Sequence, residues 1–179
     1  MASLTLREEG RVLTDSSEIG EFLDGFGIWY RRHEGQEPLS QDAGQEQVLE
    51  VYREPIQSLM AEGGYRTADV VNITPDTPDE MLSRFDREHF HDEDEVRFIV
   101  GGRGLFHIHP EGGQVFCIEM AAGDMIRVPK GTLHWFHVCA ARRCRAVRLF
   151  QDKGGWTPHY TGSGIDDEYP PVWSPAEVG

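Results

Sequence analysis

Lysine, cysteine and long apolar segments are all scarce in this 179-residue chain. Its only lysines are Lys130 and Lys153, and 17 basic residues stand against 31 acidic ones, for a formal net charge of −14. Such a charge disfavours binding to nucleic acids and to anionic membrane surfaces, because both attract cationic proteins. The composition therefore argues against a polyanion-binding protein.

Membrane and disulfide classes are also disfavoured. No apolar run approaches the roughly 20 residues that span a bilayer, and no basic region followed by an apolar stretch opens the chain. We therefore expect a cytoplasmic protein that has no membrane partner. The three cysteines, Cys117, Cys139 and Cys144, show no C-x-x-C spacing, so we predict small buried apolar residues rather than disulfides or a zinc knuckle.

Turn-forming residues are abundant instead, with 20 glycines and 10 prolines. After residue 95, short runs of strand-forming residues alternate with Gly or Pro, a pattern typical of a β meander, sandwich or barrel. The predicted strands are 96–100, 105–109, 115–120, 125–128, 134–139 and 145–150, with 26–30 and 69–73 as further candidates upstream.

Two segments outside this region are predicted to be helical. Residues 45–61 place apolar side chains at three- and four-residue spacing and are followed by a Gly-Gly pair. Pro55 lies inside this segment, so we expect a kink or break next to it. A second, short helix is predicted to begin with Thr77 as N-cap, Pro78 as first helical residue and Glu80 as the capping-box acid.

The whole chain, 1–179, is predicted to be a single domain, because neither an internal repeat nor a low-complexity linker divides it. Residues 1–84 would supply N-terminal strands and helices, and residues 85–150 the barrel core. Residues 151–179 are loop-like but rich in aromatic side chains, so we expect them to pack on the barrel rather than to be disordered.

The most informative chemical pattern is a histidine pair followed by a carboxylate. His89 and His91 would lie on one face of a strand, since residues two apart point the same way, and Glu95 follows four residues later. Further along, residues 123–134 combine a strand with a tight Gly and Pro turn, after which His134 opens the next strand. That turn would return the chain to the same cavity.

These two segments resemble the paired motifs of the cupin superfamily, G-x5-H-x-H-x(3,4)-E-x6-G and G-x5-P-x-G-x2-H-x3-N. Ser83 and Val138 depart from the motifs, at positions that do not bind metal in that superfamily. The resemblance implies a mainly β fold, the cupin double-stranded β-helix or jelly-roll barrel, with a few peripheral helices. It also implies one divalent metal ion per chain, held by His89, His91, Glu95 and His134.

This donor set suits such an ion on chemical grounds. Three neutral imidazoles and one carboxylate favour a borderline divalent metal such as iron, nickel, manganese or zinc. In an octahedral shell, four protein ligands leave two positions at which a substrate can chelate through two oxygens. A second H-x-H pair, His107 and His109, has Gly113 in place of the carboxylate, so we predict that it does not bind metal.

A longer pattern is more specific than the cupin motifs. E-H-x-H-x-E-D-E-V-R-F at 88–98, V-P-x4-H-W-F at 128–136, R-L-F at 148–150 and G-W…Y-T-G at 155–162 closely resemble the acireductone dioxygenase family of bacterial methionine salvage. The resemblance implies an Fe(II)- or Ni(II)-dependent dioxygenase that splits 1,2-dihydroxy-3-oxo-5-methylthiopentene with O2. The iron form of the family is expected to yield formate and 4-methylthio-2-oxobutanoate, and the nickel form 3-methylthiopropanoate, formate and carbon monoxide.

Charged residues beside the ligands are predicted to assist them. Arg97 has the strand parity of Glu95, so it would face the cavity and act as the catalytic cation that favours a bound enediolate. The alternative is an ion pair with a neighbouring carboxylate. Glu88 and Asp94 flank the ligands and would support them from outside the metal shell, either by orienting a histidine ring or by aiding metal entry.

Three aromatic residues are predicted to bind substrate. Phe136 lies on the face of His134 and could stack on the planar chelate, while Phe85 and Trp156 would complete an apolar pocket for the methylthio tail. The alternative is that all three are ordinary core residues.

Other kinds of cupin remain open. A sugar isomerase or epimerase could use the same ligands but would need an acid/base pair. A non-catalytic small-ligand sensor would normally bring a helix-turn-helix segment, and a storage cupin would have no use for four ligands plus Arg97. We expect a monomer that binds acireductone and O2, and oxygen consumption with an acireductone distinguishes this enzyme from the alternatives.

Overall fold

The computed structural model describes residues 1–35, 39–40, 42–152 and 157–173. Within these ranges the chain is mainly β, as predicted, with antiparallel strands and a few short peripheral helices. The strands are β1 (Ser3–Leu6), β2 (Arg11–Leu13), β3 (Trp29–Arg32), β4 (Thr67–Ile73), β5 (His89–Phe90), β6 (Glu95–His109), β7 (Phe116–Ala121), β8 (Asp124–Val128), β9 (Leu133–Val138), β10 (Cys144–Phe150) and β11 (His159–Tyr160). The helices are α1 (Ser16–Asp24), α2 (Gln45–Val51), α3 (Arg53–Gly63), α4 (Asp79–Leu82) and α5 (Ile165–Glu168).

The long strand β6 joins two sheets into one barrel. Its first half pairs with β8 and β10, and its second half pairs with β7 and β9. Gly102 lies where the strand changes sheets; its φ is 68°, and a Cβ there would meet the carbonyl oxygen of Arg143 at 1.9 Å. The prediction of two strands, 96–100 and 105–109, is wrong because the glycines bend the strand without ending it.

The predicted helix over 45–61 is divided into α2 and α3 at Tyr52, whose backbone (φ −98°, ψ 19°) is not helical. Pro55 is the third residue of α3, where a missing N–H removes no intrahelical hydrogen bond. The expected break therefore occurs three residues before the proline. Gly64 ends α3 in the left-handed conformation, with φ 67°, as a C-terminal glycine commonly does.

Two local predictions are wrong. Thr77 does not cap α4; its hydroxyl accepts the backbone N–H of Thr74 at 3.0 Å and closes a turn before the helix. The strand predicted over 26–30 begins only at Trp29. Phe26 instead lies in the turn after α1, where its ring packs near Phe116 with centroids 5.4 Å apart.

The alternation of side chains along β6 positions the functional residues. Val96 and Phe98 belong to an apolar cluster that α2 and α3 cover on the outside of the barrel. Ile99 belongs to the interior cluster. Since neighbouring residues in a strand point to opposite faces, Glu95 and Arg97 share the interior side with Ile99, and the apolar packing of both faces holds this register.

The described part of the C-terminal segment packs on the barrel. β11 pairs with β5, and the ring of Tyr169 lies 6.4 Å from that of Trp135. Cys117 and Cys144 are buried free cysteines, whereas Cys139 is only half-buried. Among the residues described, no helix is long and apolar enough to cross a membrane.

Candidate metal centre

Four side chains converge on one point inside the barrel. His89 in β5 lies directly opposite His134 in β9, His91 follows β5, and Glu95 opens β6. Their potential ligand atoms all lie within 4.8 Å of one another, and each residue is at most 6% exposed. The structure thus brings together all four residues that the sequence proposed as ligands.

Backbone carbonyls orient the three histidine rings. Nδ1 of His89 and Nδ1 of His134 lie 2.7 and 2.8 Å from the carbonyl oxygens two residues upstream. Nδ1 of His91 lies 3.4 Å from the carbonyl oxygen of Thr157. A carbonyl oxygen can only accept, so Nδ1 carries the hydrogen and each Nε2 carries a lone pair that can coordinate a metal. Such an outer contact is how proteins fix the tautomer of a metal-binding histidine.

The contacts between Glu95 and the histidines are favourable only if a cation lies between them. Oε2 of Glu95 lies 2.8 Å from Nε2 of His134 and 3.1 Å from Nε2 of His91. With the hydrogens on Nδ1, these contacts place acceptor atoms against one another, which is unfavourable unless a positive charge lies between them. Imidazole and carboxylate donors suit a divalent transition metal, so the residues fit the metal ion that the sequence implied.

The ionisation states of His89 and Glu95 also favour binding of a metal ion. Burial, and then the proximity of His134, lowers the pKa of His89 to about 4, so this ring is neutral near pH 7. Burial alone would raise the pKa of Glu95, but the guanidinium of Arg97 holds that pKa well below its usual range. A neutral imidazole and a charged carboxylate are the forms that bind a metal.

Arg97 is part of the same buried network. Its Nε donates to Oε1 of Glu95 at 2.6 Å, which leaves Oε2 directed at the histidines. The side chain also lines the cavity beside the four ligands. Both sequence interpretations of Arg97, the cavity cation and the ion-pair partner, are therefore present in the geometry.

A cavity of about 220 Å³ opens beside the four-residue group. Its walls combine aromatic and cationic side chains, namely Phe85, Phe136, Arg84, Arg97 and Arg148. Two of the three predicted substrate-binding aromatics thus border it. The third, Trp156, lies outside the described residues.

Arg148 is a cavity residue that sequence reasoning did not single out. It lies directly opposite Arg97 in the pairing of β10 with β6. The carboxylate of Asp69 accepts hydrogen bonds from its Nε and Nη2 at 2.8 and 2.6 Å. The only local signal is its place in the R-L-F segment, because its position at the cavity depends on pairing between distant strands.

Glu88 contacts a histidine, but not one of the candidate ligands. Its buried carboxylate lies 2.7 Å from Nδ1 of His109 and accepts hydrogen bonds from the hydroxyls of Thr161 and Ser163 at 2.6 and 2.7 Å. Burial alone would raise its pKa, but these three hydrogen bonds lower it. Glu88 therefore holds a histidine ring outside the group of four, whose own rings are held by carbonyls, and it fastens the C-terminal segment to the barrel.

Asp94 acts on the turn that precedes a ligand. Its Oδ1 accepts the backbone N–H of Lys130 at 3.0 Å. The next amide, that of Gly131, donates to the carbonyl oxygen of His91 at 2.9 Å. Asp94 therefore helps to hold the turn from which β9 carries His134 to the site, rather than contacting a ligand ring.

The second H-x-H pair lies outside the group of four converging side chains. His109 is held by Glu88, and His107 is fully buried, stacked on Trp135 with ring centroids 4.9 Å apart. Among the residues described, neither ring nitrogen of His107 has a hydrogen-bond partner. Burial, followed by the effects of His137 and Arg7, lowers the pKa of His107 to about 3.

A His107→Leu variant is expected to be more stable than the wild type, and increasingly so at acid pH. Because the folded pKa of about 3 lies below the unfolded value of about 6.5, only the unfolded state binds the proton between these values. Folding then loses about 1.4 kcal/mol for each pH unit below 6.5. Urea unfolding should show a gain about 2 kcal/mol larger at pH 5 than at pH 7; equal gains at the two pH values would contradict this account.

Comparisons with known proteins agree on one family. The sequence profile of the ARD/ARD′ family matches residues 18–158. An acireductone dioxygenase of Picosynechococcus sp. is 42% identical over 171 residues, which cover 94% of this chain and 97% of that protein. An acireductone dioxygenase of Xylella fastidiosa is 42% identical over 161 residues, covering 89% and 85%.

A solved structure provides the same match in three dimensions. Acireductone dioxygenase from Bacillus anthracis, with a cadmium ion in its active centre, superposes with a TM-score of 0.81 at 32% identity. The match covers 89% of this chain and 98% of that chain. Sequence profile, relatives and fold together show that the chain belongs to the ARD/ARD′ family of acireductone dioxygenases.

Proposed function

We propose that the protein is an acireductone dioxygenase that cleaves 1,2-dihydroxy-3-oxo-5-methylthiopentene with O2 in methionine salvage. The observation that carries this proposal is the buried three-histidine, one-glutamate group at a cavity lined by guanidinium groups and aromatic rings. Four protein donors leave positions on a six-coordinate metal for a substrate that chelates through two oxygens. Family membership supports the choice of an acireductone as that substrate.

The four donors would hold one Fe(II) or Ni(II) ion. When bound, such an ion supplies a Lewis acid that favours the ionised enediolate over the neutral enediol. The protein's part is preorganisation: the carbonyl contacts fix the three imidazoles, and Arg97 keeps Glu95 ionised in a buried position. Little has to rearrange when metal and substrate arrive.

Cationic side chains at the cavity favour an anionic substrate despite the acidic composition of the whole chain. Arg97 of β6 and Arg148 of β10 lie opposite each other on neighbouring paired strands, and Arg84 lines the same cavity. A fixed guanidinium interacts most strongly with negative charge in a site that excludes water. Phe85 and Phe136 help to exclude that water and offer apolar contact to the methylthio tail.

Oxygen uptake tests the proposal directly. Protein stripped of metal and then loaded with iron(II) is expected to consume O2 in proportion to added acireductone and to release formate. Metal-free protein serves as the control for spontaneous oxidation of the substrate. A fully loaded protein that oxidises acireductone no faster than this control would rule out the proposed function.

A change of metal alone is expected to change the products. One apoprotein preparation is divided and loaded with iron(II) or nickel(II); the iron form should yield 4-methylthio-2-oxobutanoate, and the nickel form 3-methylthiopropanoate and carbon monoxide. The protein donors are identical in the two samples, so the metal rather than a protein base would direct cleavage. Gas analysis with mass spectrometry measures this outcome, and absence of carbon monoxide from an active nickel form would contradict dual chemistry in this chain.

A further inference from the structure

Gly104 occupies a position where a side chain would first meet an aromatic ring at the cavity. It lies in the second half of β6, and a Cβ built there would fall 2.1 Å from Cζ and 2.4 Å from Cε2 of Phe136. Real Cβ atoms do not approach within 3.0 Å of such neighbours. Gly104 is also not among the residues with positive φ, so its backbone conformation does not require glycine. The residue is small because the ring of Phe136 lies across it.

The ring of Phe136 has packed protein on one side and the cavity on another. Its packed neighbour is Phe106, fully buried, with ring centroids 4.8 Å apart. Its backbone is held as well, because the N–H of Phe136 donates to the carbonyl oxygen of Phe85 at 2.8 Å. The ring also lines the cavity, where Cζ of Arg97 lies 6.0 Å from the ring centroid. The cavity is the open space next to the ring, so we expect a ring displaced from Gly104 to move into the space beside the four ligands.

We propose that Gly104 is a positioning residue that determines substrate specificity through Phe136. The missing side chain allows the ring to lie against the backbone of β6, and this keeps the cavity wide enough for the substrate tail. The inference rests on the proposed function, since it assumes that the cavity accepts an acireductone. The inference adds that the size of substrate tail that the cavity accepts depends on Gly104, a residue that does not itself border the substrate.

Four variant proteins, each loaded with metal in the same way, test this inference. Gly104→Ala should retain its metal and raise KM for the methylthio substrate by about tenfold or more, with a smaller change in kcat, because a crowded pocket mainly weakens binding. For an acireductone whose tail is a single methyl group, the same substitution should raise KM much less. Gly101→Ala is the matched control on the same strand, since a Cβ there would meet only Cβ of Arg145, at 3.6 Å.

Replacing Phe136 with a residue that has no ring tests whether the ring causes the increase in KM. In a Phe136→Leu background, addition of Gly104→Ala should leave KM unchanged, because no ring then occupies the Cβ position. An equal KM increase in both backgrounds, or no increase in the single variant, would overturn the proposal. So would loss of folding in Gly104→Ala with recovery in the double variant, because the glycine would then serve stability.

The test also separates this inference from the proposed function. If the wild type does not oxidise either acireductone, the proposed function is wrong, and the claim about substrate specificity is overturned with it. A crystal structure of Gly104→Ala then decides the claim that the glycine positions the ring. The ring of Phe136 is expected to lie closer to Arg97 than in the wild type, and an unmoved ring would contradict that claim.

Discussion

His134→Ala is expected to lose bound metal and enzymatic activity together. The substitution removes one of the four converging donors and leaves only two imidazoles and one carboxylate. Each lost donor weakens metal binding, so the remaining three should not hold the ion through dialysis. Metal content and oxygen uptake are measured on the same preparation, with folding checked by thermal unfolding.

The control is a histidine remote from the centre. His33 packs near Phe98, with ring centroids 5.9 Å apart, in the region covered by the helices. His33→Ala should keep full metal content and activity. Full metal occupancy in His134→Ala would remove His134 from the ligand set.

Arg97→Ala is expected to lose most of its turnover while a large part of its metal remains bound. The guanidinium is the cavity cation nearest the ligands, and its interaction with substrate charge grows as the enediolate forms. By analogy with the loss of one oxyanion donor, kcat should fall by about 10²- to 10³-fold. Metal affinity should fall less, because Arg97 contacts Oε1 of Glu95 and not the oxygen directed at the histidines.

Two further variants separate catalysis from ion pairing. Arg97→Lys should recover only part of the rate, because an ammonium group cannot reproduce the planar fork of a guanidinium. Arg103→Ala is the matched control: it removes an arginine of the same strand that pairs with Glu119 at 2.6 Å, away from the cavity. If Arg97→Ala loses its metal while the fraction that still holds metal turns over normally, Arg97 serves only to support Glu95.

Sequence by itself was sufficient to propose the four residues that converge in the barrel, because their spacing matches the paired cupin motifs. Residues two apart in extended chain share a face, and the glycine and proline turn before His134 limits where the next strand can begin. The mainly β class followed from the alternation of short strand-forming runs with Gly or Pro. The strand and turn patterns are local, whereas the meeting of His134 with His89 depends on the pairing of β9 with β5, which the motif resemblance supplied.

Only the tertiary structure decided which residues surround those ligands. Arg148 reaches the cavity because β10 pairs with β6 in one particular register, and Glu88 meets His109 because the C-terminal segment folds back beside it. The ring across Gly104 likewise depends on the pairing of β9 with β6. The alternation along one strand decides which face each side chain takes, but which distant strand lies beside it depends on packing over the whole barrel.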